Sequence, residues 1–208
     1  MATALAIAVP SRAPLQISEG TGRVANDGLY SGDGDSTGSK IWDSGRLLSS
    51  LLSTKDLSGV RVLELGSGTG VGGLTAASCG ASVCLTDGSA AMLDLLRQNI
   101  EANGLERQAT VQRLRWGDAD ECASVVALGP FDLIVGSDLL YAPEAFPNLL
   151  ETLAALCTPE RTEILLTYPT RFTEGIFFEQ AAAESFEELD APEECEPCLF
   201  ASRLVLRE

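Results

Sequence analysis

The run Val62-Leu63-Glu64-Leu65-Gly66-Ser67-Gly68-Thr69-Gly70 carries the reading of the fold. It passes from an apolar strand through a glycine turn into a helix that opens at Val71. Glycine suits the turn because a Cβ would hinder the sharp bend and shield backbone amides from an approaching ligand. Gly68, Gly70 and Gly73 also satisfy the GxGxxG spacing of a dinucleotide-binding turn, a weak signal by itself. Glu64 sharpens it. An acid at the strand end, two residues before the first glycine, would oppose a pyrophosphate and suits a cationic ligand, so it argues for a sulfonium or ammonium nearby.

From residue 60 onward, short apolar runs alternate with helical patterns, as repeated β-α units and a parallel sheet covered on both faces require. Strands are predicted at 60–65, 82–86, 110–115, 131–136 and 162–168. Leu93, Leu96 and Ile100 lie at helical spacing, as do Phe146, Leu149, Leu150, Leu153 and Cys157. After a helix near 173–184, the runs 186–189 and 199–206 flank an acidic loop too short for a crossover helix, so they are expected to pair antiparallel. Upstream, Leu47, Leu48, Leu51 and Leu52 mark one face of a helix with Asp43 or Ser44 as N-cap. Residues 28–39 are loop by composition, and the extended pieces 15–18 and 22–25 are expected to form a small hairpin. The chain thus divides into an N-terminal extension, 1–39, and one main domain, 40–208, with no internal repeat.

With 208 residues, 45% of them hydrophobic, the chain can bury one sizeable core and little more. Its 14 Lys and Arg against 30 Asp and Glu give a formal charge of −16, which offers no footprint for a phosphate backbone or an anionic membrane. There is no histidine, which removes imidazole bases, Ser-His and Cys-His nucleophile pairs and nitrogen-ligated metal sites. No metal is therefore expected. Cys79, Cys84, Cys122, Cys157, Cys195 and Cys198 are scattered through a chain too large to need a disulfide framework, which indicates a reducing, cytoplasmic setting. Residues 1–18 carry one Arg and no acid, a thin basis for an organelle-targeting segment, and no run is long enough to span a membrane.

Three further segments bring polar groups to the carboxyl ends of the predicted strands, where open α/β sheets bind ligands. Asp87 closes the second strand, where an acid can accept both ribose hydroxyls of an adenosine-bearing cofactor. Trp116-Gly117-Asp118 follows the third. Phe131-Asp132-Leu133-Ile134-Val135-Gly136-Ser137-Asp138-Leu139-Leu140-Tyr141 runs from a buried strand into a rim loop that projects Asp138 and Tyr141 toward a reacting group. The acidic stretch from Glu174 to Glu196 reads as a solvated face.

Over roughly residues 40–205 the chain resembles methyltransferase family 16, a branch of the seven-strand enzymes that contains many protein-lysine methyltransferases. The matching segments are Trp42-Asp43-Ser44-Gly45, the Glu64 to Gly70 loop, Thr86-Asp87, Asn99 with Asn103, Trp116-Gly117, and the D-x-x-Y signature Asp138 to Tyr141. The resemblance implies an α/β fold: a Rossmann-like class I methyltransferase sheet, mostly parallel and seven-stranded, with an antiparallel C-terminal strand and helices on both faces. It also implies S-adenosyl-L-methionine held by Trp42, Glu64, Gly66, Gly68, Gly70, Asp87, Trp116 and Ser137, with S-adenosyl-L-homocysteine as product. Asp138 and Tyr141 would face the acceptor, a lysine of a protein substrate, in an enzyme that is a monomer and binds neither nucleic acid nor membrane. A small-molecule N- or O-methyltransferase remains the nearest alternative, ahead of a nicotinamide-cofactor oxidoreductase or a non-catalytic cofactor-binding module.

Overall fold

The alternation that begins at residue 60 resolves, in a computed structural model that describes residues 4–10, 12–20, 37–190 and 193–208, into a twisted sheet flanked by helices. An N-terminal pair, β1 (Ala4–Ile7) and β2 (Leu15–Ser18), precedes helix α1 (Asp43–Ser53). Then follow β3 (Arg61–Leu65), α2 (Val71–Ser78), β4 (Ser82–Asp87), α3 (Ala90–Ala102), β5 (Ala109–Arg113), α4 (Ala119–Val126) and β6 (Leu133–Ser137). The chain ends with α5 (Phe146–Leu156), β7 (Glu163–Pro169), α6 (Glu174–Ala183), β8 (Phe186–Glu188), β9 (Glu193–Glu196) and β10 (Leu199–Leu206).

The strands run in the order β5-β4-β3-β6-β7-β10-β8, with β9 beside β10. Neighbours from β5 to β7 are parallel, and β10 is antiparallel to β7, β8 and β9. All five predicted parallel strands form, within one or two residues of their expected bounds, and the two C-terminal runs pair antiparallel as expected. The seven-strand path gains an eighth member, because β9 falls in what reads as an acidic loop. Glu193 to Glu196 has no apolar alternation, and its pairing comes from the edge of β10 that the short β8 leaves open: β8 covers Leu204 to Leu206 and β9 covers Leu199 to Ala201.

Two apolar layers enclose the sheet. On one face Leu48 and Leu52 of α1, Leu74 of α2, and Leu93, Leu96 and Ile100 of α3 pack together with Ile7, Leu15 and Ile17 of the N-terminal hairpin. On the other, Val125 of α4, Phe146, Leu149 and Leu153 of α5, and Phe177 of α6 cover Leu63, Leu65 and Ile134. The Phe146 and Phe177 rings meet edge to face, 5.4 Å apart. Helices therefore lie on both faces. Among the described residues no helix is long and apolar enough to cross a membrane.

Local details differ from expectation in three places. Helix α1 begins at Asp43, with Trp42 as N-cap and no side-chain cap bond, so neither Asp43 nor Ser44 caps it. Asp43 sits in the first turn, where its charge still favours the helix dipole. Strand β2 forms as expected, but its partner is β1, with Ile7 opposite Leu15 and Leu5 opposite Ile17; residues 22–25 lie outside the described residues. Helix α4 was not anticipated, although Asp118 to Glu121 is a capping signal: Asp118 Oδ1 accepts the Glu121 N–H at 3.1 Å.

The two asparagines fasten the hairpin to helix α3. Asn99, fully buried in α3, accepts the Ser18 N–H at 2.8 Å and donates to the carbonyls of Ser18 and Thr69, each at 3.0 Å. Asn103 does the same for Gln16, accepting its N–H at 2.7 Å and donating to its carbonyl at 2.8 Å. A carboxamide supplies both the acceptor and the donors that a strand edge needs, so α3 stands in for a missing neighbour strand. Asn99→Leu is expected to cost about 3 kcal/mol, because it strands three polar groups at once. Urea unfolding of the variant measures it.

Candidate functional site

The winding of the chain creates the site. From β3 it moves outward to β4 and β5, then returns to β6 on the opposite side of β3, so a crevice opens above the carboxyl ends of β3 and β6. The loop after β3 fills its floor. Gly68, at φ +52°, sits so close beneath the Gly38 backbone that a Cβ would fall 2.5 Å from the Gly38 carbonyl oxygen. Glycine is required there on both counts. Ser67 N–H donates to the Thr86 carbonyl and Gly70 N–H to the Ser67 carbonyl, which tie the turn to β4 and to itself.

Asp87 ends β4 and reaches across. Its Oδ2 accepts the Gly68 N–H at 3.0 Å and its Oδ1 the Ser89 N–H at 2.9 Å, so one carboxylate anchors the glycine loop and the start of α3. From β6, Asp138 sits in the left-handed region at φ +59° and donates its N–H to the Thr167 carbonyl at 2.8 Å. The carboxylate is held by the Arg171 guanidinium through both oxygens, with Nη2 to Oδ2 at 3.3 Å. Tyr141 and Trp42 line the cleft and stand half-exposed. The cavity has a volume of about 700 Å³, within the roughly 300–1000 Å³ usual for small-molecule sites.

A family model described as lysine methyltransferase matches residues 29–186. The chain belongs to that family. The mouse (Mus musculus) protein N-lysine methyltransferase METTL21A is 39% identical over 137 residues, an alignment that covers 64% of this chain and 61% of that protein. The mouse histone-arginine methyltransferase METTL23 is 37% identical over 120 residues, covering 56% of this chain and 46% of that protein. The chain thus spans less than two thirds of the length of these curated relatives. Among solved structures, the O-methyltransferase from Bacillus cereus in complex with SAH superposes with a TM-score of 0.58 at 21% identity, over 80% of this chain and 82% of that one. That likeness fixes the fold as the class I methyltransferase sheet.

Within this family fold, eight of the ten residues singled out in the sequence line one cleft: Trp42, Gly66, Gly68, Asp87, Trp116, Ser137, Asp138 and Tyr141. Gly70 and Glu64 do not. Gly70 caps α2 at φ +79°, and a Cβ there would meet Leu96 at 2.6 Å, so this glycine serves the packing of α2 on α3. Glu64 lies behind the loop, 2% exposed, with Oε1 accepting the Gly73 N–H at 3.0 Å in the first turn of α2. In this arrangement its side chain does not line the cleft. Its Oε2 has no hydrogen-bond partner among the described residues.

Burial pushes the Glu64 carboxyl up to about 7, against an ordinary value of 4.5. The folded-state value stands above the unfolded one, so the stabilisation from the protonated form is complete below pH 4.5 and is lost as pH rises through about 7. The shift corresponds to about 3 kcal/mol. Glu64→Gln is expected to be the more stable protein at pH 8, and to flatten the decline in urea stability between pH 5 and pH 8. An unchanged slope would assign that decline to other groups.

Sequence reasoning missed Arg171. It lies 33 positions from Asp138, and the two meet only because β6 and β7 are parallel neighbours whose rim loops face each other. Ser89 and Met92 at the start of α3 and Asn148 in α5 also line the cleft.

Proposed function

We propose that this chain is an S-adenosylmethionine-dependent methyltransferase that modifies a lysine side chain of a protein. The observation that carries the reading is the placement of Asp87 and Asp138 in a single cleft floored by side-chain-free backbone at Gly66 and Gly68. These residues fit the cofactor. Asp87, whose oxygens accept the Gly68 and Ser89 N–H groups, lines the cleft with a carboxylate of the kind that accepts ribose hydroxyls. Trp42 and Trp116 supply apolar walls, and Ser137 a hydroxyl at the end of β6. When bound, the cofactor supplies a sulfonium methyl group whose transfer needs in-line approach, desolvation and charge placement, so a chain with no histidine can support it.

Asp138 accepts hydrogen bonds from the incoming amine and aims its lone pair into the cleft, while Tyr141 walls the approach. A lysine ammonium, with a reference pKa near 10.4, must first lose a proton, and a neighbouring positive charge lowers that value. The six cysteines are scattered through a chain too large to need a disulfide framework, which supports a reducing, cytoplasmic setting. The charge of −16 supports a protein acceptor over a nucleic acid, and a monomer is the expected working form.

Calorimetry with SAH and with NAD tests the cofactor assignment. Radiolabelled methyl transfer into proteome and metabolite extracts, followed by hydrolysis of the labelled protein, tests the acceptor. Label in methyl-lysine is expected. The arginine-directed relative supports a second reading, and label in methyl-arginine would establish it.

A further inference from the structure

Asp138 and Arg171 differ in how firmly they are held. Asp138 is fixed: its side chain is only 12% exposed, its N–H is bonded to the Thr167 carbonyl, and it follows directly on a buried strand. Arg171 sits on the short connection between β7 and α6 with its side chain 35% exposed. The connection is fastened at its ends, by Thr170 N–H to the Cys198 carbonyl, Arg171 N–H to Glu174 Oε2 at 3.1 Å, and the Thr173 hydroxyl to the Leu140 carbonyl. Between these ties Phe172 adopts φ +65° with its ring 90% exposed, a left-handed conformation that no packing secures. The arginine fork thus reaches back over the carboxylate from a part-exposed side chain on a fastened loop.

We infer that Arg171 is a displaceable stand-in for the acceptor's cation, closing the Asp138 subsite until a cationic side chain of the substrate takes its place. The inference rests on the methyltransferase reading, which makes Asp138 the acceptor's subsite, and it deepens that reading by naming the substrate class. Asp138 is largely buried, so whatever removes the guanidinium must bring positive charge of its own. An ammonium-bearing chain does so. An alcohol or thiol of the same length does not, and it meets Arg171 still in place. One ion pair therefore keeps the carboxylate compensated before substrate arrives and discriminates against neutral acceptors.

The test uses n-butylammonium, a cation of lysine side-chain length, and n-butanol, its neutral counterpart, each titrated into the full chain. The Leu139 backbone amide and the Arg171 Nε–H resonances report by NMR. In the unmodified protein n-butylammonium is expected to shift both with saturation, and n-butanol to shift neither. Arg171→Met is expected to bind n-butylammonium about fivefold more tightly, the scale of one partly exposed ion pair. Arg171→Lys, which keeps the charge without the fork, is expected to fall between, and Asp138→Asn to lose the response. Equal or weaker binding in Arg171→Met, or equal binding of the alcohol, would overturn the proposal. SAH calorimetry on the same samples separates the two levels. Normal SAH binding with no gain in Arg171→Met removes the stand-in role alone, whereas failure to bind SAH removes the methyltransferase reading and the subsite with it.

Discussion

Asp138→Ala is expected to lower turnover between about a hundredfold and a thousandfold while SAH affinity stays within about twofold of the unmodified protein. The division follows from what the side chain touches. Its carboxylate faces Arg171 at the rim of the cleft and makes none of the bonds that shape the glycine loop, which depend on Asp87, Ser67 and the backbone of β4. Removing it costs the acceptor an orienting anion and leaves the cofactor floor intact. The backbone at position 138 stays constrained, because the N–H to the Thr167 carbonyl survives the substitution. Alanine at φ +59° adds strain, so Asp138→Asn, which tolerates the left-handed region, is the control. Asn is expected to lose turnover almost as fully, since a neutral amide cannot stabilise a cationic acceptor. A drop in SAH affinity equal to the drop in turnover would move Asp138 to the cofactor half of the cleft.

The parallel half of the fold was readable because its signals are local. Each buried strand is a short apolar run, each is followed by a turn signal, and the glycine loop announces both the turn and the helix after it. Asp87 and Asp138 could be placed at the rim for the same reason: in a parallel sheet the residue after each strand lands on one edge. What stayed hidden depends on tertiary partners. Strand β9 exists because β10 offers an open edge, and nothing in its four residues says so. The Asp138 and Arg171 pair joins two loops that only the strand order brings together. Glu64 is the instructive case. Its position at the strand end was legible, but whether its side chain turned into the cleft or behind it depended on Gly72 and Gly73, where a Cβ would lie 2.5 Å and 2.9 Å from the carboxylate oxygens. Those glycines open the space under α2 that the carboxylate occupies, so Gly73, the last glycine of the GxGxxG spacing, serves an internal side chain.

Asp87→Ala is the complementary experiment, with SAH affinity expected to fall about a hundredfold and turnover at saturating cofactor to recover to within a few-fold. Two hydrogen bonds from ribose hydroxyls to a carboxylate, at about 1.5 kcal/mol or more each, give roughly 3 kcal/mol, and every 1.4 kcal/mol is a factor of ten. The loop adds to the loss. Without the carboxylate the Gly68 and Ser89 N–H groups, now bonded at 3.0 Å and 2.9 Å, turn to water, and the floor of the cleft loses one of its ties to β4. Asp87→Asn is expected to rescue little, because a carboxamide offers one oxygen to two backbone donors and must point its NH2 at the other. Isothermal titration with SAH supplies the affinity, and initial rates at rising cofactor concentration supply the recovery. The two aspartates then sort by which deficit cofactor can repair: the Asp87 variant regains its rate as the cleft is filled, and the Asp138 variant does not. Rates that stay low at saturation in both would mean that the loop Asp87 anchors also sets the geometry of the acceptor, joining two halves of the cleft that the structure keeps on separate strands.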